Sequence, residues 1–145
     1  MWSKNYLSEK VYIGKYSHEE DLLGGLNSFC FENNITIGWV NIIGAVKKAK
    51  IGYYIQESKK YVDIEESSFN KPFEIAGCMG NISIKEGKPF AHLHIILTDE
   101  QGRAFGGHVM PGTVIFAGEF IIQKFKGEEL KREYDNQTGL PLWKE

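Results

Sequence analysis

His92-Leu93-His94, with His108 farther along the chain, are the residues best placed to do chemistry. Three of the four histidines fall within 17 residues, in a stretch that reads as two strands joined by a turn. Residues i and i+2 of a strand share a face and lie roughly 6.5–7 Å apart. Two imidazoles placed that way can meet one metal ion, each nitrogen at about 2.0–2.1 Å. Three neutral imidazoles leave a fourth position open, which is the pattern of catalytic zinc sites, where bound water has a pKa of about 7.

Whether His108 reaches the pair depends on register. Ala91 to Leu97 is a good strand run and Arg103 to Met110 a weaker one. Between them lie the turn formers Thr98-Asp99-Glu100-Gln101-Gly102. Pairing Leu97 with Phe105 sets His94 opposite His108, at a Cβ separation of about 4.5–5.5 Å. A shift of two residues sets His92 opposite His108 and keeps the three together. A shift of one sends His108 to the other face. Gly106-Gly107 is a place where a bulge could change the register.

Two readings of the cluster stand side by side. One is a divalent metal site, with zinc the expected ion. The other is a metal-free polar pocket of packed histidines flanked by Phe90 and Phe105. A metal site calls for a nearby carboxylate to orient a ligand or accept a proton. Glu119 is the candidate for that catalytic role, because it interrupts the apolar run Thr113 to Ile122. Its other reading is an outward-facing strand residue. His18 reads as a surface residue of a first helical turn, not as a ligand.

The elements that position these residues follow from composition and pattern. A chain of 145 residues makes a single domain, residues 1–145, and is long enough to bury a core. Hydrophobic content of 42% and charged content of 25% are those of a soluble globular chain. The longest uncharged apolar stretch, Ile35 to Val46, is too short to span a bilayer, and Met1 to Tyr6 is followed by no apolar signal core. Cys30 and Cys78 stand far apart without a C-x-x-C pattern, as expected of reduced thiols in a cytoplasmic protein. The net charge is −2, and Arg103 and Arg132 are the only arginines. Strong DNA binding by this domain alone is therefore not expected, since such binding rests on phosphate neutralisation. The basic cluster Lys47-Lys48-Ala49-Lys50 reads as a solvated turn.

Val11 to Tyr16 reads as a first strand. Ser17-His18-Glu19-Glu20 has the form of a capping box and predicts a helix over about 18–32, with Leu22, Leu23, Leu26, Phe29 and Cys30 at helical spacing. Gly24-Gly25 inside it would let the helix approach a sheet. From Ile35 onward the pattern predicts strands, separated by Asn70-Lys71-Pro72, Glu86 to Pro89, Asp99 to Gly102, Met110-Pro111-Gly112 and Lys126-Gly127. The fold class is α+β: one N-terminal helix packed on a largely antiparallel, strongly twisted β-sheet in a single compact domain. The tail Gln137 to Glu145 carries Leu140, Pro141, Leu142 and Trp143, a composition suited to docking on its own domain or on a neighbouring subunit.

These segments together resemble the PPC domain (plant and prokaryote conserved domain) over about residues 8–132. The resemblance is carried by Gly38 to Val46, by Pro72-Phe73-Glu74-Ile75 with Gly77 and Gly80-Asn81-Ile82-Ser83, and by Pro89 to His94 through Gly106-Gly107-His108 to Val114. It implies a homotrimer. It also implies protein partners, through the segment matching Phe73, Glu74 and Ile75. Plant members bind AT-rich DNA through a hook with the sequence Arg-Gly-Arg-Pro, which this chain does not contain. The fold is further similar to acetolactate decarboxylase, where an H-x-H pair and a later histidine hold zinc; His92, His94 and His108 match those ligands, and that enzyme's catalytic arginine and carboxylates find no match here. Two functions follow as expectations. The first is a trimeric cytoplasmic module with a three-histidine metal site, acting in regulation or in association with DNA through partners. The second is a metal-dependent lyase or hydrolase acting on a small oxygenated substrate.

Overall fold

The computed structural model describes residues 1–64 and 71–144; Asn70 of the Asn70-Lys71-Pro72 turn and Glu145 of the tail lie outside the described residues. The described chain runs β1 (Leu7–Lys15), α1 (Leu22–Glu32), β2 (Gly38–Lys48), β3 (Ile51–Ile55), β4 (Lys60–Asp63), β5 (Phe73–Lys85), β6 (Lys88–Thr98), β7 (Ala104–Val109), β8 (Val114–Lys126), β9 (Arg132–Tyr134) and β10 (Pro141–Trp143). Strands β1 to β8 form one open sheet in the order β1-β8-β2-β5-β6-β7-β3-β4, and β9 and β10 form a separate two-stranded sheet. Every neighbouring pair in the large sheet is antiparallel. The α+β expectation therefore stands.

Alternation decides which face is buried. In β6, Ala91, Leu93, Ile95 and Leu97 are buried, and the residues between them point the other way. The buried face meets Leu22, Leu26 and Cys30 of α1, along with Val40, Ile42, Cys78, Ile82, Ile115 and Ile122 from neighbouring strands. Burying one such side chain contributes about 1.5–3 kcal/mol, and the cluster gathers many of them between the helix and one face of the sheet. Asn27 of α1 accepts a hydrogen bond from the Ala91 N–H at 2.9 Å, which ties the helix to the strand that carries the histidines.

The helix begins later than the capping box predicts. Its cap is Asp21, whose carboxylate accepts from the Gly24 N–H at 2.7 Å. Only half of the box forms: Glu20 accepts from the Ser17 N–H at 2.8 Å. The segment before it is claimed by the sheet, with Glu19 N–H donating to Ile115 O, Ile115 N–H to Glu20 O and Leu22 N–H to Thr113 O. His18 therefore lies outside the helix, exposed, with Nδ1 2.8 Å from the Phe116 carbonyl. Gly24 and Gly25 do not serve an approach to the sheet. A Cβ on Gly24 would meet the Asp21 carboxylate at 3.2 Å, and one on Gly25 the Glu20 carboxylate at 2.3 Å, so both leave room for the capping side chains. Asn33 caps the far end, and Asn34 follows with φ of 51°, as expected of this pair.

Candidate metal centre

The β6–β7 hairpin pairs Leu97 with Phe105, Ile95 with Gly107 and His94 with His108, with no bulge at Gly106-Gly107. This is the register that keeps all three histidines on one face. On its other side His108 pairs with Gly52 of β3, so its ring lies beside a position with no side chain. The Tyr61 ring tilts against it at 4.9 Å between centroids. On the β5 side, His94 pairs with Met79 and His92 with Asn81. One residue from Asn81, Gly80 lets β5 pass close to the histidine strand: a Cβ there would lie 1.8 Å from the His92 carbonyl oxygen. The β5–β6 turn is the two-residue Glu86-Gly87, both with positive φ, a primed turn that holds the register leading to the site.

One nitrogen from each of His92, His94 and His108 can be chosen so that all three lie within 4.8 Å of one another. A point in their midst is then at most about 2.8 Å from each, and small side-chain rotations reach the 2.0–2.1 Å of a metal–imidazole bond. Ring centroids are 5.3, 5.0 and 5.5 Å apart. Burial pushes the pKa of His92 down to about 4, helped by His108, Arg132 and His94. Burial likewise brings His108 to about 4, with His94 and Arg132 adding to it. Both rings are therefore neutral at pH 7, the form that has a lone pair for a metal. His108 Nδ1 is buried without a hydrogen-bond partner. A buried polar atom left unpaired costs about 1–3 kcal/mol, and a metal or ligand atom there would remove that cost. Among the described residues the donor set, the neutrality of His92 and His108 and this unpaired nitrogen fit a metal ion.

Glu119 is not brought to the cluster. It lies exposed on β8, paired with Ile43 and Lys15. Three strand spacings separate β8 from β6 in the sheet, roughly 14 Å. Within one chain it occupies its other reading, an outward-facing strand residue. Arg103 caps the Thr98–Gly102 turn by pairing with Asp99 and stays away from the histidines. Of the segment 73–75, Phe73 and Ile75 are buried in the core and only Glu74 is exposed.

The charged neighbour of the cluster is Arg132, which sequence reasoning missed. Its Nε donates to Ser83 Oγ at 2.7 Å, Nη1 to the Pro141 carbonyl at 2.9 Å and Nη2 to Asn81 Oδ1 at 2.9 Å. Nη2 also stands 3.5 Å from His92 Nδ1. The guanidinium carbon lies over the Phe90 ring at 5.6 Å and over the Trp143 ring at 5.5 Å. The partner expected of a ligating histidine is an acceptor, and Arg132 is a donor. A metal on Nε2 of His92 would place a proton on Nδ1, so the guanidinium would have to withdraw from that ring. Only the scarcity of arginine in the chain could have pointed to it: it lies 40 residues from His92, on β9, and the tail carbonyl of Pro141 holds it in place.

His92, His108 and Arg132 open into a cavity of about 390 Å³, walled by Phe90, Tyr61 and the tail residues Leu140, Pro141 and Leu142. The tail thus docks on its own domain, strapped by the Tyr54 hydroxyl to Thr138 O and by Lys59 to Asn136 O. A larger cleft of about 640 Å³ lies beyond Arg132 and is lined by Glu32, Glu86, Glu129 and Glu133. It contains none of the histidines.

The histidines share their sheet face with a row of apolar residues. Register links Ile13 to Ile121, Ile121 to Asn41, Asn41 to Met79 and Met79 to His94. On this face Ile13 is 80% exposed, Ile43 57% and Ile96 52%, with Trp39, Met79 and Ile121 also open. No helix of the described residues is long and apolar enough to cross a membrane.

Comparison with known proteins places these features in context. The family model described as the Plants and Prokaryotes Conserved (PCC) domain matches residues 3–126. The crystal structure of a metal-containing protein of Archaeoglobus fulgidus superposes over 100% of both chains with a TM-score of 0.93 and 36% identity. A Bacteroides thetaiotaomicron protein, named as a candidate DNA-binding protein, is 29% identical over 96% of each chain with a TM-score of 0.84. Acetolactate decarboxylase of Bacillus subtilis, at 19% identity and a TM-score of 0.51 over 88% of this chain and 56% of its own, shares the fold alone. Among curated proteins, the bifunctional protein GlmU of Synechococcus sp. is 26% identical over 134 residues; the match spans 91% of this chain and 20% of that relative's length.

Proposed function

The chain belongs to the Plants and Prokaryotes Conserved domain family, and from that premise we propose that it is a homotrimeric metal-binding module in which His92, His94 and His108 hold one divalent ion. The observation that carries this reading is the convergence of one imidazole nitrogen from each histidine within 4.8 Å, beside which His108 also has a buried, unpartnered Nδ1. The metal-containing relative supports it at 36% identity over the whole chain. Zinc suits three neutral imidazoles with an open position, and such an ion would supply Lewis acidity toward an oxygen ligand. The protein's own part is to hold the His92 and His108 rings neutral, to offer a walled cavity beside them and to place Arg132 at its edge.

The apolar sheet face supports self-association, because contiguous apolar patches of this kind mark contact surfaces. A trimer would bury Ile13, Trp39, Ile43, Met79 and Ile96 and enclose the histidine face. Light scattering then reads about 50 kDa, against 16.5 kDa for one chain. Action through other proteins, not by gripping duplex DNA directly, is supported by the net charge of −2, which gives phosphates little to bind. In the fold described, a partner contact at residues 73–75 would go through Glu74.

The alternative reading, a metal-dependent lyase or hydrolase on a small oxygenated substrate, is favoured by the cavity beside His92 and His108 and by Arg132 within it. The experiment that comes first is elemental mass spectrometry on protein never exposed to a nickel column, beside a His92→Ala/His94→Ala variant. One equivalent of metal per chain, lost from the folded variant, is the expected result. No metal and no uptake on titration would return the histidines to packing.

A further inference from the structure

We propose that the cavity beside the histidines is an anion site, built to take a small organic carboxylate whose charge is met by Arg132 and whose apolar body lies against Phe90 and the tail. The proposal builds on the metal reading, since a cation at the histidines would add to the same field. It starts from a census of charge. Among the described residues the lining contains Arg132, Lys59 and Lys85 and no aspartate or glutamate.

Arg132 is the centre of the imbalance. Among the described residues it makes no ion pair: its three short hydrogen bonds go to a hydroxyl, a peptide carbonyl and an amide oxygen, all neutral. A half-buried guanidinium normally has a carboxylate partner, because neutral acceptors recover only part of the lost solvation. Here the fourth contact, 3.5 Å to His92 Nδ1, is longer than a good hydrogen bond, so donor capacity faces the histidines unspent. Lys85 lies over the Phe90 ring on the same wall.

The remaining walls set the body of the ligand. Phe90, Leu140, Pro141 and Leu142 are apolar, and the half-open cavity of about 390 Å³ is suited to a small molecule and not to a duplex. Two chemistries thus meet in one space, a cationic end and an apolar side, as a short fatty or keto acid requires. The tail matters to both, because Pro141 accepts from Arg132 while its neighbours form the apolar wall.

The test is chemical-shift titration by NMR with butyrate and with butyramide, its neutral isostere, on metal-free and on zinc-loaded protein. The expected result is saturable binding of butyrate to both forms, at least about tenfold tighter than butyramide. Arg132→Gln should weaken butyrate at least about tenfold, Arg132→Lys should recover part of that loss, and Lys85→Gln, which leaves the tail anchor intact, should weaken it several-fold. Equal binding of the acid and the amide would overturn the proposal. So would an absence of saturation in both forms, or butyrate binding untouched in Arg132→Gln and Lys85→Gln. Displacement of butyrate by a short DNA duplex would reassign the charges to nucleic acid. If the protein takes up no metal but binds butyrate as described, the metal reading falls and the anion site stands. If it takes up metal but binds no butyrate, the metal reading stands and the anion site falls.

Discussion

Gly80→Ala offers a sharp test of how the sheet positions the histidines. A methyl built on Gly80 would lie 1.8 Å from the His92 carbonyl oxygen, 2.8 Å from its carbon and 2.9 Å from Leu93 Cδ2. Real contacts of this kind stop near 3.0 Å. The His92 peptide must therefore move away from β5 by about 1.2 Å or more, the difference between 3.0 and 1.8. A ligand constellation tolerates about 0.5 Å. The displacement opens the β5–β6 ladder where His92 pairs with Asn81, for an expected cost of about 2–3 kcal/mol. The melting temperature should fall by about 6–12 °C, and metal affinity should drop more than about tenfold. Gly77→Ala is the internal control: it lies on the same strand, against the same partner, and a methyl there meets nothing within 4 Å. It should leave melting within about 1 kcal/mol of the parent and metal binding unchanged. The assays are thermal unfolding of metal-free protein and competition of zinc against a chelator of known affinity. Gly80→Ala behaving like Gly77→Ala in both would refute the strand geometry from which the site is built.

Two further outcomes follow from the burial of titratable side chains. With His92 and His108 held at about 4 in the folded protein, the unfolded chain takes up their protons first as pH falls below about 6.5. Metal-free protein should therefore lose stability steadily from about pH 6.5 to about 4 and be flat above that range. A His92→Gln/His108→Gln variant should show a shallower decline when melting is followed against pH. Cys30 and Cys78 are fully buried, with their thiols pushed up to about 12 by burial, so iodoacetamide should modify neither in native buffer and both in urea, as read by intact mass.

Much of the site was legible because it depends on a local pattern. Leu93, Ile95 and Leu97 must face the core, so His92 and His94 must face away, and a five-residue turn leaves few registers for His108. What could not be read is what the rest of the chain delivers. Arg132 stands on β9, in a stretch (Leu130 to Tyr134) that the pattern reads as a strand, but nothing in that stretch says that it packs beside Ser83 and Asn81 of β5, where the guanidinium comes up to His92. Glu119 stood out because it interrupts an apolar run, yet that run lies on β8, whose place in the sheet comes from long-range pairing. The start of the helix failed for a related reason. A capping box is a local preference, and backbone bonds from Glu19, Glu20 and Leu22 to β8 and the residue before it outweigh it.

The hairpin that carries the histidines also bears on the order of folding. His92, His94 and His108 lie within a single local meander, β5 to β7, whose turns close with little loss of chain entropy. The β1–β8 pairing, which joins Leu7 to Lys126, closes a loop of more than a hundred residues and belongs to the slow, non-local part of the process. An ion bound at the histidines would meet its ligands on a partly assembled chain, and could act as a clasp on the meander before the outer strands arrive. Refolding rate measured with and without metal would then change, not only final stability.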